Sequence, residues 1–207
     1  VRGVKGELLD NVKYYLAALP VIDSQRVEGR EKKITEAIRK SLQAVGYYSP
    51  TIDFKYPDEK SHTLQVQIEP GKPVKVRQIQ IELYDDAQKD ADFLKILSSL
   101  DLETGAVLHH GKYENIKRRL KTLAATHGYF DAKIVRSDVQ VYPRDEVADI
   151  NIVFNSGHRY RFGAITIDGI PQTKLIQPLL RFKQGDAFDT LKLAELSQSL
   201  SQTRYFQ

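Results

Sequence analysis

The sequence predicts an α+β fold built from tandem β-α-α-β-β units, in which two helices cover a three-stranded mixed sheet. Three observations support this prediction. A pattern of helix, glycine, aromatic pair and strand recurs along the chain, the segments after it alternate apolar and polar residues, and clusters of turn residues separate the units. The units are predicted at residues 1–72, 73–157 and 158–207, with the third copy incomplete.

The recurring pattern is clearest in residues 113–134, YENIKRRLKTLAATHGYFDAKI. Ile116, Leu120 and Leu123 lie at helical spacing and predict an amphipathic helix with these side chains in the core. Gly128 follows where this periodicity ends. Glycine is typical of the left-handed position that closes a helix, because it has no Cβ to clash there.

The same pattern occurs in residues 33–54, KITEAIRKSLQAVGYYSPTIDF, with Gly46 in the place of Gly128. A third occurrence is LKLAELSQSLSQTRYFQ, residues 191–207, which has Arg204 in the place of the glycine. An arginine in a left-handed backbone conformation costs about 1 kcal/mol, so we expect either strain or a different helix cap at that position.

In the first unit, the patterns predict the end of a strand, two helices and two strands, at residues 1–4, 6–19, 31–45, 51–56 and 63–69. In the last of these strands, Leu64, Val66 and Ile68 alternate with polar residues, which predicts one buried face and one face in water. Residues 57–61, PDEKS, predict the turn between the two strands.

The second unit repeats this order, with predicted elements at residues 76–83, 87–100, 111–127, 131–142 and 147–155. In the third unit, a strand and two helices are predicted at residues 160–168, 174–182 and 185–200, and the hairpin is missing. Without the hairpin, the helices keep an incompletely covered apolar face. We therefore expect this unit to be loosely ordered or paired with a neighbouring molecule.

Composition excludes several classes of protein. The chain has 207 residues and a net charge of +4, with Lys and Arg interspersed among acidic residues, which indicates solvated helix faces. The absence of cysteine excludes a disulfide framework and a thiolate metal site, and is compatible with an oxidising compartment. No apolar run reaches the roughly 20 residues of a membrane-spanning helix. The chain begins at Val1 without a signal-like stretch, so we expect a processed or excised piece.

No catalytic, cofactor or metal site is predicted. His109 and His110 are adjacent and their side chains should point apart, without a third ligand at metal spacing. No nucleophile elbow, phosphate loop or zinc-protease motif is present, so an enzyme is not expected. Residues 159–162, RYRF, interleave basic and aromatic residues and leave open a basic α/β nucleic-acid-binding module. A strand with Tyr160 and Phe162 on one face and the two arginines on the other explains this segment more simply.

Five segments carry a resemblance to a known family: GYYSPTIDF (46–54), PGKPV (70–74), GYFDAKI (128–134), NSGHRYRFGAITIDG (155–169) and FKQGDAF (182–188). In this order and spacing, the chain resembles tandem POTRA domains of the Omp85 superfamily. Within the superfamily it is most similar to TamA, the barrel subunit of the translocation and assembly module.

The resemblance implies a non-enzymatic periplasmic scaffold, the soluble part of an outer-membrane protein of Gram-negative bacteria. It implies a role in inserting and folding outer-membrane proteins such as autotransporters. The implied partners are a TamB-like protein anchored in the inner membrane, the protein's own C-terminal β-barrel and unfolded outer-membrane clients, and no nucleic acid. The POTRA region of a BamA-like general barrel-assembly protein is the alternative within the superfamily.

The resemblance also suggests a binding site for clients. In this fold, the strand after the second helix commonly lies at the edge of the sheet, where its main-chain groups are available to an added strand. Such β-augmentation tolerates many sequences because the main chain supplies the hydrogen bonds. The candidate edge residues are Thr51, Ile52, Asp53, Phe54, Ala132, Lys133, Ile134 and Val135. The alternative is that these edges simply face solvent.

Overall fold

The computed structural model describes residues 1–20, 27–55, 64–166 and 176–202, with backbone alone for 27–30. Its helices are α1 (Gly6–Ala17), α2 (Val27–Gln43), α3 (Ala91–Ser98), α4 (His110–His127) and α5 (Thr190–Gln202). Its strands are β1 (Thr51–Lys55), β2 (Gln65–Glu69), β3 (Lys75–Tyr84), β4 (Lys133–Tyr142) and β5 (Val147–Asn155). Across the described residues, no helix combines the length and apolarity that crossing a membrane requires.

The chain divides into two compact units. The first comprises Val1–Gln80, Asp101–Asn115 and Asp138–Asn151. The second comprises Ile81–Leu100, Ile116–Ser137 and Ile152–Gln207. Both compact units therefore contain parts of the second predicted segment, residues 73–157. The predicted β-α-α-β-β segments are called repeats from here on, and the word unit is kept for these two compact units.

The second repeat has the predicted order: β3, α3, α4, β4 and β5 follow one another, and the sheet order is β3-β5-β4. At the start of β3, the amide of Lys75 donates to the carbonyl of Glu146, just before β5 (2.8 Å). At the end of β3, the carbonyl of Tyr84 accepts from the amide of Ser156, just after β5 (3.4 Å). The two strands therefore run in the same direction, and β3 and β5 are parallel. β4 and β5 are neighbours joined by a tight turn, which makes them antiparallel. The predicted α+β class with a three-stranded mixed sheet is confirmed.

In the first repeat, β1 pairs antiparallel with β2, from Thr51 opposite Glu69 to Lys55 opposite Gln65. On the other side of β2, Arg2 forms a parallel bridge with Gln67. The order across the sheet is therefore the N-terminal segment, then β2, then β1.

The first unit contains an apolar core cluster, formed by Val4, Val12, Ile38, Leu42, Val66 and Ile68. Ile38 and Leu42 come from α2, and Val66 and Ile68 come from the predicted inner face of β2. Burying each of these side chains contributes about 1.5–3 kcal/mol. The sequence periodicity thus identified the core-facing residues of β2.

In the second unit, the core is centred on aromatic rings. Phe93 of α3 is fully buried and packs edge-on against Tyr129, with ring centroids 5.3 Å apart. It also contacts Phe154 of β5 at 5.5 Å. Ile116 and Leu120, predicted to face inward from α4, are fully buried.

The predicted helix at 87–100 is wrong in its extent. Residues Asp85–Gln88 form a short 3-10 turn, and α3 begins only at Ala91. Asp90 causes the break, because its backbone is extended and its carboxylate accepts a hydrogen bond from the amide of Asp92 (2.9 Å). An aspartate in this position ends one element and caps the next.

Three predictions for the third repeat also need correction. Over the described part of 160–168, the only pairing is an isolated bridge between Arg161 and Ala187, so this segment is not a strand. Over the described part of 174–182, only a 3-10 turn forms at Gln177–Leu179, where Pro178 lacks the amide that a longer helix needs. The helix predicted at 185–200 begins at Thr190. The positions of Arg204 and of the 57–61 turn lie outside the described residues.

Candidate functional site

β4 lies at an edge of the three-stranded sheet. Of the candidate edge residues, Lys133, Ile134 and Val135 are its first three, and Ala132 lies just before it. Val135 is 59% exposed, which is unusual for an apolar strand residue. β3 forms the opposite edge, but its first residue Lys75 is bridged to another segment at Val107.

β1 lies at the edge of the first sheet. All four candidates on this side, Thr51, Ile52, Asp53 and Phe54, belong to it. Ile52 and Phe54 pack against the core of the first unit, whereas Thr51 and Asp53 are exposed. The strand therefore has one face held by packing and a free main-chain edge beside it, among the residues that the structure describes.

Sequence reasoning missed a second feature, a hydrogen-bonded junction at the end of α2. The carbonyl of Gly46 accepts from the amide of Val74 (2.8 Å), and the carbonyl of Ala44 accepts from the amide of His110 (2.9 Å). The amide of Leu108 in turn donates to the carbonyl of Val74 (2.8 Å). Three segments that are distant in sequence thus meet at one helix C-terminus.

The second unit contains the same junction. The carbonyl of Gly128 accepts from the amide of Tyr160 (2.9 Å), and the amide of Phe188 donates to the carbonyl of Tyr160 (3.0 Å). The hydroxyl of Thr190 donates to the carbonyl of Thr126 (3.3 Å), in the place of the His110 amide. The repeat found in the sequence therefore extends to these junctions.

Both junctions need glycine for a reason beyond helix capping. Gly46 has φ +93°, and a Cβ there would lie 2.5 Å from the carbonyl oxygen of Leu108. Gly128 has φ +80°, and a Cβ there would lie 2.6 Å from the Cβ of Phe188. Real Cβ atoms do not approach this closely, so each glycine is required by the segment packed against it.

The two adjacent histidines have different partners, as expected from neighbouring residues that point apart. His110 Nε2 lies 2.6 Å from the hydroxyl of Tyr48, and His109 Nε2 lies 3.0 Å from a carboxylate oxygen of Glu7. Burial lowers the pKa of His110 and raises the pKa of Tyr48. At neutral pH, both groups are therefore uncharged and share one hydrogen bond.

Arg159 holds the second junction together. Its Nε donates to the carbonyl of His127 (2.9 Å), and an Nη donates to the carbonyl of Phe188 (3.1 Å). Its other Nη lies 3.7 Å from the carboxylate of Asp90, which is only 10% exposed. Arg159 thus supports the chain's own backbone. This arrangement offers no support for the nucleic-acid reading of the RYRF segment.

Asp90 is the acceptor at the centre of this network. Burial alone would raise its pKa, but hydrogen bonds from Tyr129 and from the amide of Asp92, with the charge of Arg159, together hold it below the ordinary value. The Tyr129 hydroxyl donates to Asp90 over 2.6 Å, and burial with this bond raises the pKa of Tyr129. A carboxyl with a lowered folded-state pKa stabilises the fold above its unfolded value of about 3.9, and this contribution is lost as the pH falls through the folded pKa.

Replacing Asp90 with asparagine tests this contribution, because asparagine still caps α3. We expect Asp90→Asn to lower the free energy of unfolding by about 1–2 kcal/mol at pH 7, the value of a hydrogen bond to a charged group. The deficit should be constant between about pH 5 and 8 and should shrink below about pH 4. Urea unfolding curves across this range measure it. A deficit that persists unchanged to pH 3 would contradict the assignment.

The same region contains a group of metal-ligand type that the sequence did not reveal. Asp90, Asp92 and His127 each place one possible ligand atom within 4.8 Å of the other two. The Nδ1 of His127 is buried and has no hydrogen-bond partner. However, Asp90 already accepts two hydrogen bonds, and Arg159 places a positive charge beside it. That charge opposes a bound cation, so we interpret the group as part of the ion-pair network.

Comparison with known proteins gives two family matches. Residues 1–70 match a model described as "POTRA domain TamA domain 1". Residues 74–157 match the POTRA model described as "Surface antigen variable number repeat".

One similar protein is outer membrane protein assembly factor BamA of Neisseria meningitidis serogroup B. It is 23% identical over 162 residues, which cover 69% of this chain and 19% of that protein. This chain thus spans about a fifth of that relative's length. Similar solved structures are Haemophilus influenzae BamA POTRA3-5 (16% identity, 96% of this chain and 81% of that chain, TM-score 0.46) and Anabaena Omp85 POTRA1-3 (15%, 100% and 82%, TM-score 0.41). By its two family matches, which together span most of its residues, the chain belongs to the POTRA domain family of the Omp85/BamA superfamily.

Proposed function

We propose that this chain is the periplasmic POTRA region of a TamA-like outer-membrane assembly protein. It acts as a non-catalytic scaffold that receives unfolded outer-membrane proteins, such as autotransporters, as extended strands along β4 and β1. Its further partners are a TamB-like protein anchored in the inner membrane and its own C-terminal β-barrel. The edge position of β4 is the observation that carries this proposal.

An edge strand suits this role because its outward main-chain groups are an unspecific template. Every second residue of an added strand gains two main-chain hydrogen bonds, whatever its side chain, and side chains contribute only to preference. The alternating burial along β5 anchors the sheet from within, while β4 keeps exposed residues on much of its length. A rigid sheet with one open edge binds clients without having to unfold.

The TamA-like assignment draws on the match of residues 1–70 to the first TamA domain. The alternative is a BamA-like general barrel-assembly protein, which the similarity to the meningococcal BamA favours. Recovery of partners from a solubilised envelope separates the two. Co-purification of a TamB-like protein with residues 1–207 at moderate salt supports the first, and recovery of barrel-assembly lipoproteins in its place supports the second.

Strand addition is tested with a ten-residue peptide that alternates valine and threonine between terminal lysines. In ¹⁵N-labelled protein, we expect the backbone amides of Lys133–Tyr142 and Thr51–Lys55 to shift on titration. A peptide of the same composition in scrambled order should bind comparably, because the main chain carries the interaction. The edge proposal fails if these amides do not respond.

The matched control is the same peptide with every valine and threonine N-methylated. This change removes the main-chain donors from both edges of the peptide and keeps every side chain. Two or more main-chain hydrogen bonds are lost, so the affinity should fall by about tenfold or more. If the methylated peptide binds as well as the parent, contact through side chains is responsible and β-augmentation is excluded.

A further inference from the structure

An open cleft of about 670 Å³ lies in the first unit. Its walls are the exposed side of α1, the end of α2 and the first turn of α4. Its lining includes Glu7, Asp10, Tyr14, His109, His110 and Glu114. It is distinct from the candidate edge strands, none of whose residues line it.

The cleft contains the most exposed of the large hydrophobic side chains among the described residues. Tyr14 is 75% exposed, and its ring stands edge-to-face against that of Tyr15 with centroids 6.0 Å apart. An exposed aromatic ring offers its negatively polarised face to a cation. Tyrosine is also enriched among the residues that dominate protein–protein binding energy.

The charge of the cleft is opposite to that of the chain. The chain carries a net charge of +4, but the described lining holds the carboxylates of Glu7, Asp10 and Glu114 and neither lysine nor arginine. His110 stays neutral at pH 7, because burial lowers its pKa. His109 Nε2 lies 3.0 Å from a carboxylate oxygen of Glu7 and already contacts that one carboxylate. A cationic ligand is therefore favoured here over an anionic one.

We propose that this cleft binds an extended, arginine-bearing segment of a partner protein. A guanidinium group stacks on the ring of Tyr14 while its N–H groups reach the carboxylates around it. Arginine fits better than lysine, because its planar fork both stacks on aromatic rings and pairs with carboxylates through two parallel bonds. This inference concerns a surface apart from the edge strands and does not depend on strand addition.

The probe is the peptide acetyl-GRGRGRG-amide, titrated into ¹⁵N-labelled residues 1–207 at pH 7 and low salt. The expected shifts are confined to amides at 7–15 and 109–114. The lysine counterpart, acetyl-GKGKGKG-amide, should bind more weakly, and raising the salt to 0.5 M should weaken both by screening.

Tyr14→Ala should lower the affinity by about two- to fivefold, as expected for an exposed cation–π contact. The triple variant Glu7→Gln, Asp10→Asn and Glu114→Gln should lower it by about tenfold. All of these side chains are exposed, so the unfolding midpoint should stay near that of the parent.

Two control variants carry the same kinds of substitution at exposed positions outside the cleft. Tyr84→Ala removes a tyrosine ring, and the double variant Glu36→Gln with Glu103→Gln removes two carboxylate charges. These should bind the peptide within twofold of the parent. Unchanged binding by the triple variant overturns the proposal. The proposal is also overturned if the protein self-associates, Tyr14→Ala abolishes this self-association and the peptide causes no shifts. That outcome assigns the cleft to a second copy of the chain.

Discussion

Replacing Phe93 with alanine is expected to lower the free energy of unfolding by about 3–5 kcal/mol. The ring is fully buried and packs against both Tyr129 and Phe154, so alanine leaves a cavity that these fixed aromatic neighbours cannot fill. Small domains are stable by only about 5–15 kcal/mol, and the loss is therefore a large part of the total. Urea unfolding followed by circular dichroism measures it.

The adjacent residue provides the control. Leu94 is 46% exposed on the same helix, and Leu94→Ala should cost less than about 1 kcal/mol because little apolar surface returns to water. Equal costs for the two variants would mean that α3 presents a different face to the core. A small cost for Phe93→Ala alone would mean that the site collapses around the smaller side chain.

Gly46→Ala is expected to destabilise the protein by about 2–4 kcal/mol. A left-handed backbone costs alanine about 1–2 kcal/mol, and relief of the clash with the Leu108 carbonyl weakens hydrogen bonds worth about 1 kcal/mol each. The clashing atom belongs to the main chain, so no side-chain rotation removes it. In NMR spectra, the amides of Val74, Leu108 and His110 should shift together, because their bonds converge at this helix end.

Gly105→Ala separates the two contributions. Gly105 also has a left-handed backbone, with φ +86°, but nothing lies within 4 Å of the Cβ that alanine would add. Its substitution should therefore cost only about 1 kcal/mol. If Gly46→Ala costs no more than this, the close approach of residues 107 and 108 has no energetic importance for the junction.

The two main errors of sequence-based prediction have a common cause. The 87–100 segment has helical periodicity throughout, but Asp90 uses its side chain to cap a later start. The 160–168 segment alternates like a strand, but its described part forms only the bridge between Arg161 and Ala187, whereas β3 of the second repeat lies beside β5. In both segments, the hydrogen-bonding partners that the fold supplies decided the structure, and periodicity carries no information about those partners.

The client-binding role of the eight candidate residues stays a prediction. Both groups lie in or beside edge strands, a position suggested by family resemblance. The acidic cleft could not be predicted, because its walls come from segments that are far apart in the chain. The ion pair between Arg159 and Asp90 could not be predicted either, because the sequence does not show which distant residues meet.

For the first two repeats, the sequence by itself determined the order of the elements and the faces turned to the core, because these follow from short-range periodicity and turn chemistry. It also placed glycine at both helix ends. Only the tertiary structure decided why those glycines are needed, which extended segments become strands and how the two histidines are used. These outcomes depend on hydrogen bonds and close approaches between distant residues, and such contacts exist only once the chain is folded.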